Sequence, residues 1–198
     1  MDYKKIKIDF LQEYIAKSIS TKTNILNNEE NLRSLIKITK KIIISLSSGG
    51  KLIFAGNGGS AADAQHLSAE FVGKFNFDRP ALPSISLTTN TSTITAIGND
   101  YGYKYIFSRQ IEALAKKKDI LILISTSGNS ENLIEAFLSA NKIGVHTFCF
   151  LGNHGGKIGK IVKDQIVINS NITSIIQENH IMLGHLICLL VENAIFQQ

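Results

Sequence analysis

Residues 51–70 constrain the fold more than any other stretch: Lys-Leu-Ile-Phe-Ala-Gly-Asn-Gly-Gly-Ser-Ala-Ala-Asp-Ala-Gln-His-Leu-Ser-Ala-Glu. They read as strand, glycine loop and helix. The apolar run 52–55 suits a strand buried on both faces. Gly56, Gly58 and Gly59 permit backbone angles and close approaches that a Cβ forbids. A run of good helix formers then begins at Ser60. The loop feeds a helix N-terminus, where unpaired N–H groups and the positive end of the dipole suit a phosphate. His66 and Glu70, four residues apart, share one face of that helix.

The rest of the chain repeats this alternation. Further strands are predicted at 84–87, 119–124, 145–151 and 164–168, with an apolar-periodic run over 93–97 that ends at Gly98 and helices over 103–114, 131–142 and 173–196. Thr173 or Ser174 is placed to cap the last one. Strands alternating with helices give an α/β fold, a three-layer sandwich around a five-stranded parallel sheet of flavodoxin-like kind. Ahead of it, residues 3–24 carry a helical apolar stripe (Ile6, Phe10, Leu11, Tyr14, Ile15, Ile19). Asn28 is placed to cap a second helix that stops at Gly49-Gly50. Residues 1–48 therefore read as a helical segment packing in an oligomer or on its own domain, and 49–198 as the α/β domain with its C-terminal helix.

Composition narrows the class. The 198 residues are 44% hydrophobic and 19% charged, too apolar for disorder. The net charge of +5 is spread out except at Lys40-Lys41 and at 116–118, which gives no nucleic-acid footprint. No run approaches the roughly 20 apolar residues of a membrane span. The N-terminus has no secretory apolar core, and Cys149 and Cys188 sit in apolar runs as buried thiols. The expected location is cytoplasmic.

Three groups of residues carry chemistry. The segment 56–61 fits G-x-G-x-x-A, but the next strand ends Leu87-Thr88-Thr89-Asn90 without the acid that a dinucleotide ribose needs. A phosphate or sugar loop fits better. The segment 125–130, Ser-Thr-Ser-Gly-Asn-Ser, echoes the first loop and puts four hydroxyls and free N–H groups at a helix start, a cradle for a dianionic phosphate. His66 with Glu70 is either an ordinary helix pair or a bidentate metal arrangement. On the last helix, Gln177 and His185 lie eight residues apart, roughly 12 Å along the axis. One ion is reached by both only if the first turn frays or if two subunits contribute.

Together these motifs resemble the sugar isomerase (SIS) family, and within it the phosphoheptose isomerases. The resemblance covers essentially the whole chain. It rests on 56–60, His66-x-x-x-Glu70, Arg79-Pro80, the Gly-Asn-Asp-Tyr-Gly of 98–102, the Phe-Ser-Arg of 107–109, 125–130, Gln177-Glu178-x-His180 and His185. It implies a homotetramer with active sites between subunits, interconverting sedoheptulose 7-phosphate and D-glycero-D-manno-heptose 7-phosphate for bacterial lipopolysaccharide or capsule. It further implies one zinc ion per subunit on His66, Glu70, Gln177 and His185, with Glu70 and His185 as the acid/base pair. The implied substrate contacts are Asn57, Gly58, Gly59, Glu70, Asn99, Asp100, Ser125, Thr126, Ser127, Ser130 and Gln177. The segment 87–93 lacks the acidic or histidine residues that some members place there. Two other readings stand beside this one: a non-catalytic SIS adaptor of the replication initiator, and an isomerase of another phosphosugar. The retained Glu70, Gln177 and His185 favour the enzyme.

Overall fold

The computed structural model describes residues 7–197. A five-stranded parallel sheet forms from β1 (Leu52–Gly56), β2 (Ser84–Ser86), β3 (Ile120–Ser125), β4 (His146–Gly152) and β5 (Asp164–Ile168), in the order β2-β1-β3-β4-β5. This is the flavodoxin-like order, in which the chain reverses direction across the sheet between β1 and β3. The register pairs Leu52 with Ile120 and Gly56 with Ile124, so the loops leaving β1 and β3 stand side by side at that switch point.

The central strands β1, β3 and β4 are buried almost throughout because both faces are covered, while the edge strands β2 and β5 carry polar residues. Leu52, Phe54, Ile122 and Phe150 face α2 (Glu29–Ser47), α3 (Gly59–Val72) and α7 (Thr173–Phe196). Ile53, Ala55, Leu121, Leu123 and Cys149 face α5 (Ser108–Leu114) and α6 (Glu131–Ile143), with α4 (Thr91–Asp100) at the edge. Both cysteines are free and buried, and burial raises the Cys188 thiol to about 12.

Asn28 caps α2 as expected, its Oδ1 accepting from the Asn31 N–H at 3.0 Å. The first helix, α1, spans Ile8–Leu26; the part of its predicted stripe at Ile6 lies outside the described residues. Among its residues only Thr21 and Ile25 are buried, while Phe10, Leu11, Ile15 and Ile19 stay exposed. Its polar stripe holds the start of α7: Tyr14 bonds Ser174, and Ser18 and Lys22 both reach Glu178, the lysine at 2.5 Å.

Four expectations need correction. The helix expected over 103–114 is a 3-10 turn over Tyr103–Tyr105 followed by α5. The α4 helix runs on through Asp100 instead of stopping at Gly98. No side chain caps α7: the cap position is Ile172, and the Ser174 hydroxyl is taken by Tyr14. Finally, α7 with its 24 residues is long and apolar enough to pass for a membrane span, although here it packs on the sheet and on α3.

Candidate active site

Two helix N-termini and one helix–helix seam converge at the β1/β3 switch point. Gly58, at φ +56°, turns the chain from β1 into α3, and a Cβ there meets nothing within 4 Å. This glycine is set by backbone angle, and the open space above it is room for a ligand. Gly59 is set by contact instead: a Cβ there collides with the Gln177 side chain.

The two loops are physically joined. Asn57 and Asn132 exchange amide hydrogen bonds of 2.9 and 2.8 Å, and the Tyr103 hydroxyl donates to Asn57 Oδ1 at 3.3 Å. Sequence reasoning singled out Asn57 and missed Asn132. The signal was an Asn two residues past the second loop, on the helix that the loop opens.

In the loop 125–130, the Ser125 hydroxyl accepts from the Gly128 N–H at 3.0 Å, and Ser127 Oγ accepts from Asn129 N–H at 3.2 Å. Gly128, at φ +63°, packs so closely on Gly155 that a Cβ would strike its carbonyl. Ile158 N–H and Lys157 N–H bond Gly128 O and Asn129 Oδ1 from the segment after β4. Ser130 occupies the cap position of α6 without a capping side-chain bond, which leaves its hydroxyl free beside the helix N-terminus. These bonds fix the loop at the N-terminus of α6, the kind of place where an anion is favoured.

The seam between α3 and α7 gathers the candidate reactive groups His66, Glu70 and His185. The helices lie parallel and in register: Gly59 meets Gln177, and Leu67 meets Gly184. A methyl on Gly184 would stand 2.5 Å from Leu67 Cδ1, so the glycine lets the helices close together beside His185. His66 Nε2 then lies 3.3 Å from His185 Nε2 and 3.0 Å from Glu70 Oε1. Phe75, from the loop after α3, lays its ring 5.5 Å from the His185 ring. Burial, with His66 adding to it against Glu70, holds His185 below the usual imidazole range and favours its neutral form. Asp63, one turn before His66, has Oδ2 sealed from solvent without a partner, and burial lifts its carboxyl to about 6.

Two imidazoles and a carboxylate, with ligand atoms all within 4.8 Å of one another, match the donor set of a zinc site. The fit is good for three of the four implied ligands. Gln177 sits four residues inside regular α7, against Gly59, roughly 10 Å of helix away from His66. Fraying of the first turn is therefore not how Gln177 and His185 meet. Asn99 and Asp100 end α4 exposed and paired with each other at 2.8 Å. Asp100 lines a cleft of ≈ 560 Å³ between β2, α4 and α5, which is roomier than anything at the seam but has neither the seam residues nor the 125–130 loop in its walls. The reactive groups, not the volume, mark the candidate site.

Residues 13–152 match the SIS domain family. The chain is 50% identical over 188 residues to the phosphoheptose isomerase of Sulfurimonas denitrificans, covering 94% of this chain and 96% of the relative. The chain belongs to the phosphoheptose isomerase family. A second family member, from Aneurinibacillus thermoaerophilus, is 49% identical with 96% of each chain covered. Among solved structures, the phosphoheptose isomerase of Francisella tularensis superposes with TM-score 0.90 at 33% identity, covering 94% of this chain and 98% of that one. That of Neisseria gonorrhoeae gives 0.86 at 39% identity, covering 93% and 98%.

Proposed function

We propose that this protein is an aldose–ketose isomerase that interconverts sedoheptulose 7-phosphate and D-glycero-D-manno-heptose 7-phosphate. The observation that carries the proposal is the cluster of Glu70, His66 and His185 at the α3–α7 seam; the hydroxyl-rich loop 125–130 at the start of α6 supports it. Membership of the family supplies the sugar.

In the proposed reaction the loop 125–130 and the N-terminus of α6 hold the distal phosphate, through Ser125, Thr126, Ser127 and Ser130. Binding energy at that end positions the first two carbons at the seam. Asn57, Gly58 and Gly59 line the path between, and Asn99 and Asp100 contact the sugar within the assembled oligomer. Glu70 Oε1 faces His66, while Oε2 has no hydrogen-bond partner among the described residues and serves as the base. It takes a proton from C1 of the ketose, and the C–H electron pair forms the C1=C2 bond of a cis-enediol. His185 delivers a proton to O2 as the carbonyl bond opens. Return of the carbon proton to C2 and loss of the O1 proton through His185 then give the aldose. A zinc ion held by His66, Glu70 and His185, with Gln177, supplies Lewis-acid polarisation of the carbonyl when bound.

Gln177 of one subunit completes the site of another. The bare stripe on α1 and an apolar hollow of ≈ 330 Å³ beside His185, lined by Phe75, Met182, Leu186 and Leu189, support a homotetramer with composite sites. Buried free cysteines fit a reducing cytoplasm. The heptose then feeds lipopolysaccharide or capsule synthesis.

The test is to incubate purified protein with sedoheptulose 7-phosphate and follow the aldose by NMR, before and after chelation. Turnover that chelation abolishes and zinc restores is the expected result. An inert preparation with stoichiometric zinc contradicts the assignment.

A further inference from the structure

Where the chain leaves α3, a buried ion pair ties that helix to α7. Arg79 and Glu192 are 113 residues apart in sequence, and their side chains are only 2% and 1% exposed. Glu192 Oε1 accepts from Arg79 Nε and from the Phe75 N–H, both at 2.9 Å, and Oε2 accepts from the Asn76 N–H at 2.8 Å. The other guanidinium nitrogens donate to main-chain carbonyls: Nη2 to Glu70 at 2.8 Å, and Nη1 to Phe71 at 3.0 Å, Gly73 at 3.3 Å and Pro80 at 3.0 Å.

A buried pair as such contributes little net stability, because desolvating two charges offsets most of their attraction. What distinguishes this one is where its bonds go. The guanidinium caps the last carbonyls of α3, including that of Glu70 itself. The carboxylate fixes the backbone of Phe75, whose ring lies against His185. Glu192 stands seven residues beyond His185 on the same rigid helix, roughly 10 Å along it. One ion pair therefore grips both helices of the reactive seam just past the reactive groups, and grips the covering ring as well. Burial pushes the Glu192 carboxyl up, but the two N–H groups and the guanidinium outweigh it and hold it ionised, below the ordinary carboxylate range.

We propose that Arg79 and Glu192 are positioning residues, which set the spacing and orientation of Glu70 against His185 without touching substrate. This rests on the functional reading above. Lysine cannot replace Arg79, because an ammonium lacks the planar fork that spans a carboxylate and four carbonyls.

The experiment uses the full-length protein with Arg79→Lys and Glu192→Gln, checked for fold by circular dichroism and assayed on sedoheptulose 7-phosphate. Positioning predicts a kcat lowered on the order of 10- to 100-fold with KM within about 2-fold, because the phosphate grip at 125–130 is untouched. Zinc affinity, read by competition with a chromogenic chelator, weakens about 10-fold. A folded variant with wild-type kcat and zinc affinity but a lower melting temperature overturns the proposal, since the pair is then structural only. If neither variant folds, the pair serves the fold at large, and that also counts against a role at the seam. An inactive wild-type protein refutes the functional reading instead, and zinc competition still reports on the positioning.

Discussion

The phosphate loop and the α3–α7 seam are built in opposite ways. The loop 125–130 is one continuous hexapeptide, shaped by its own hydroxyls and by a glycine at positive φ, and braced by the segment after β4. The seam draws His66 and His185 from positions 119 residues apart and brings them together by a close helix contact at Gly184. On the proposed assignment, binding chemistry is local in sequence, whereas reactive chemistry is assembled by packing. Damage to the loop should therefore appear as weak binding, and damage to the seam as slow chemistry.

Glu70→Gln sharpens that contrast most. It keeps shape and removes the base, so kcat should fall on the order of 10²- to 10⁴-fold while KM and melting temperature hold. Steady-state kinetics on the folded variant check it, and a loss confined to KM would break the division. Ser130→Ala is the counterpart in the loop. Loss of one hydroxyl bond to a charged phosphate should raise KM on the order of 10- to 100-fold and leave kcat within about 2-fold, because such a bond contributes about 1.5–3 kcal/mol. A kcat loss as large as that of Glu70→Gln would erase the distinction.

The smallest effect concerns His180, which belongs to neither region although it lies between Gln177 and His185. Its Nε2 donates to the Leu151 carbonyl at 3.0 Å, and Nδ1 is buried without a partner. Burial lowers its pKa to about 4, with the Leu151 bond opposing. The unfolded chain, with an ordinary imidazole near 6.5, takes up the proton first as pH falls. The stability from neutral His180 is thus full above pH 6.5 and is lost as pH falls towards 4. Urea midpoints of wild type and His180→Asn at pH 7.5 and 4.5 check this: the gap between the two proteins should narrow in acid. Asp63, raised to about 6, acts with the opposite sign and cancels in that difference.

The same contrast explains what was legible in the sequence. The three central strands were readable because each is buried on both faces, and the edge strands β2 and β5, which carry polar residues, by their place in the alternation. Their ends shift by a residue, 145–151 becoming His146–Gly152, because ladder partners set them. Gly98 read as a stop, yet α4 passes through it, since Asn90 caps the start and the space beside Gly98 is open. Both loops stood out as motifs. The seam did not, because two histidines on two helices look like ordinary packed residues until a fold sets them side by side. Spacing along the last helix singled out His185 beside Gln177, but only the resemblance set it against His66 and Glu70. Glu192 escaped notice altogether, although it is the sole charged residue beyond Glu178 on a long apolar helix, and a buried partner is the ordinary reason for such a residue.

The most direct measurement of the central claim is proton exchange at carbon. Sedoheptulose 7-phosphate is incubated with wild type and with Glu70→Gln in deuterated water, and label at C1 and C2 is read by NMR. The account predicts deuterium at both carbons with wild type and almost none with the variant, while inorganic phosphate competes equally for both proteins. Aldose formed by wild type without solvent label, or label acquired at an undiminished rate with Glu70→Gln, would contradict it.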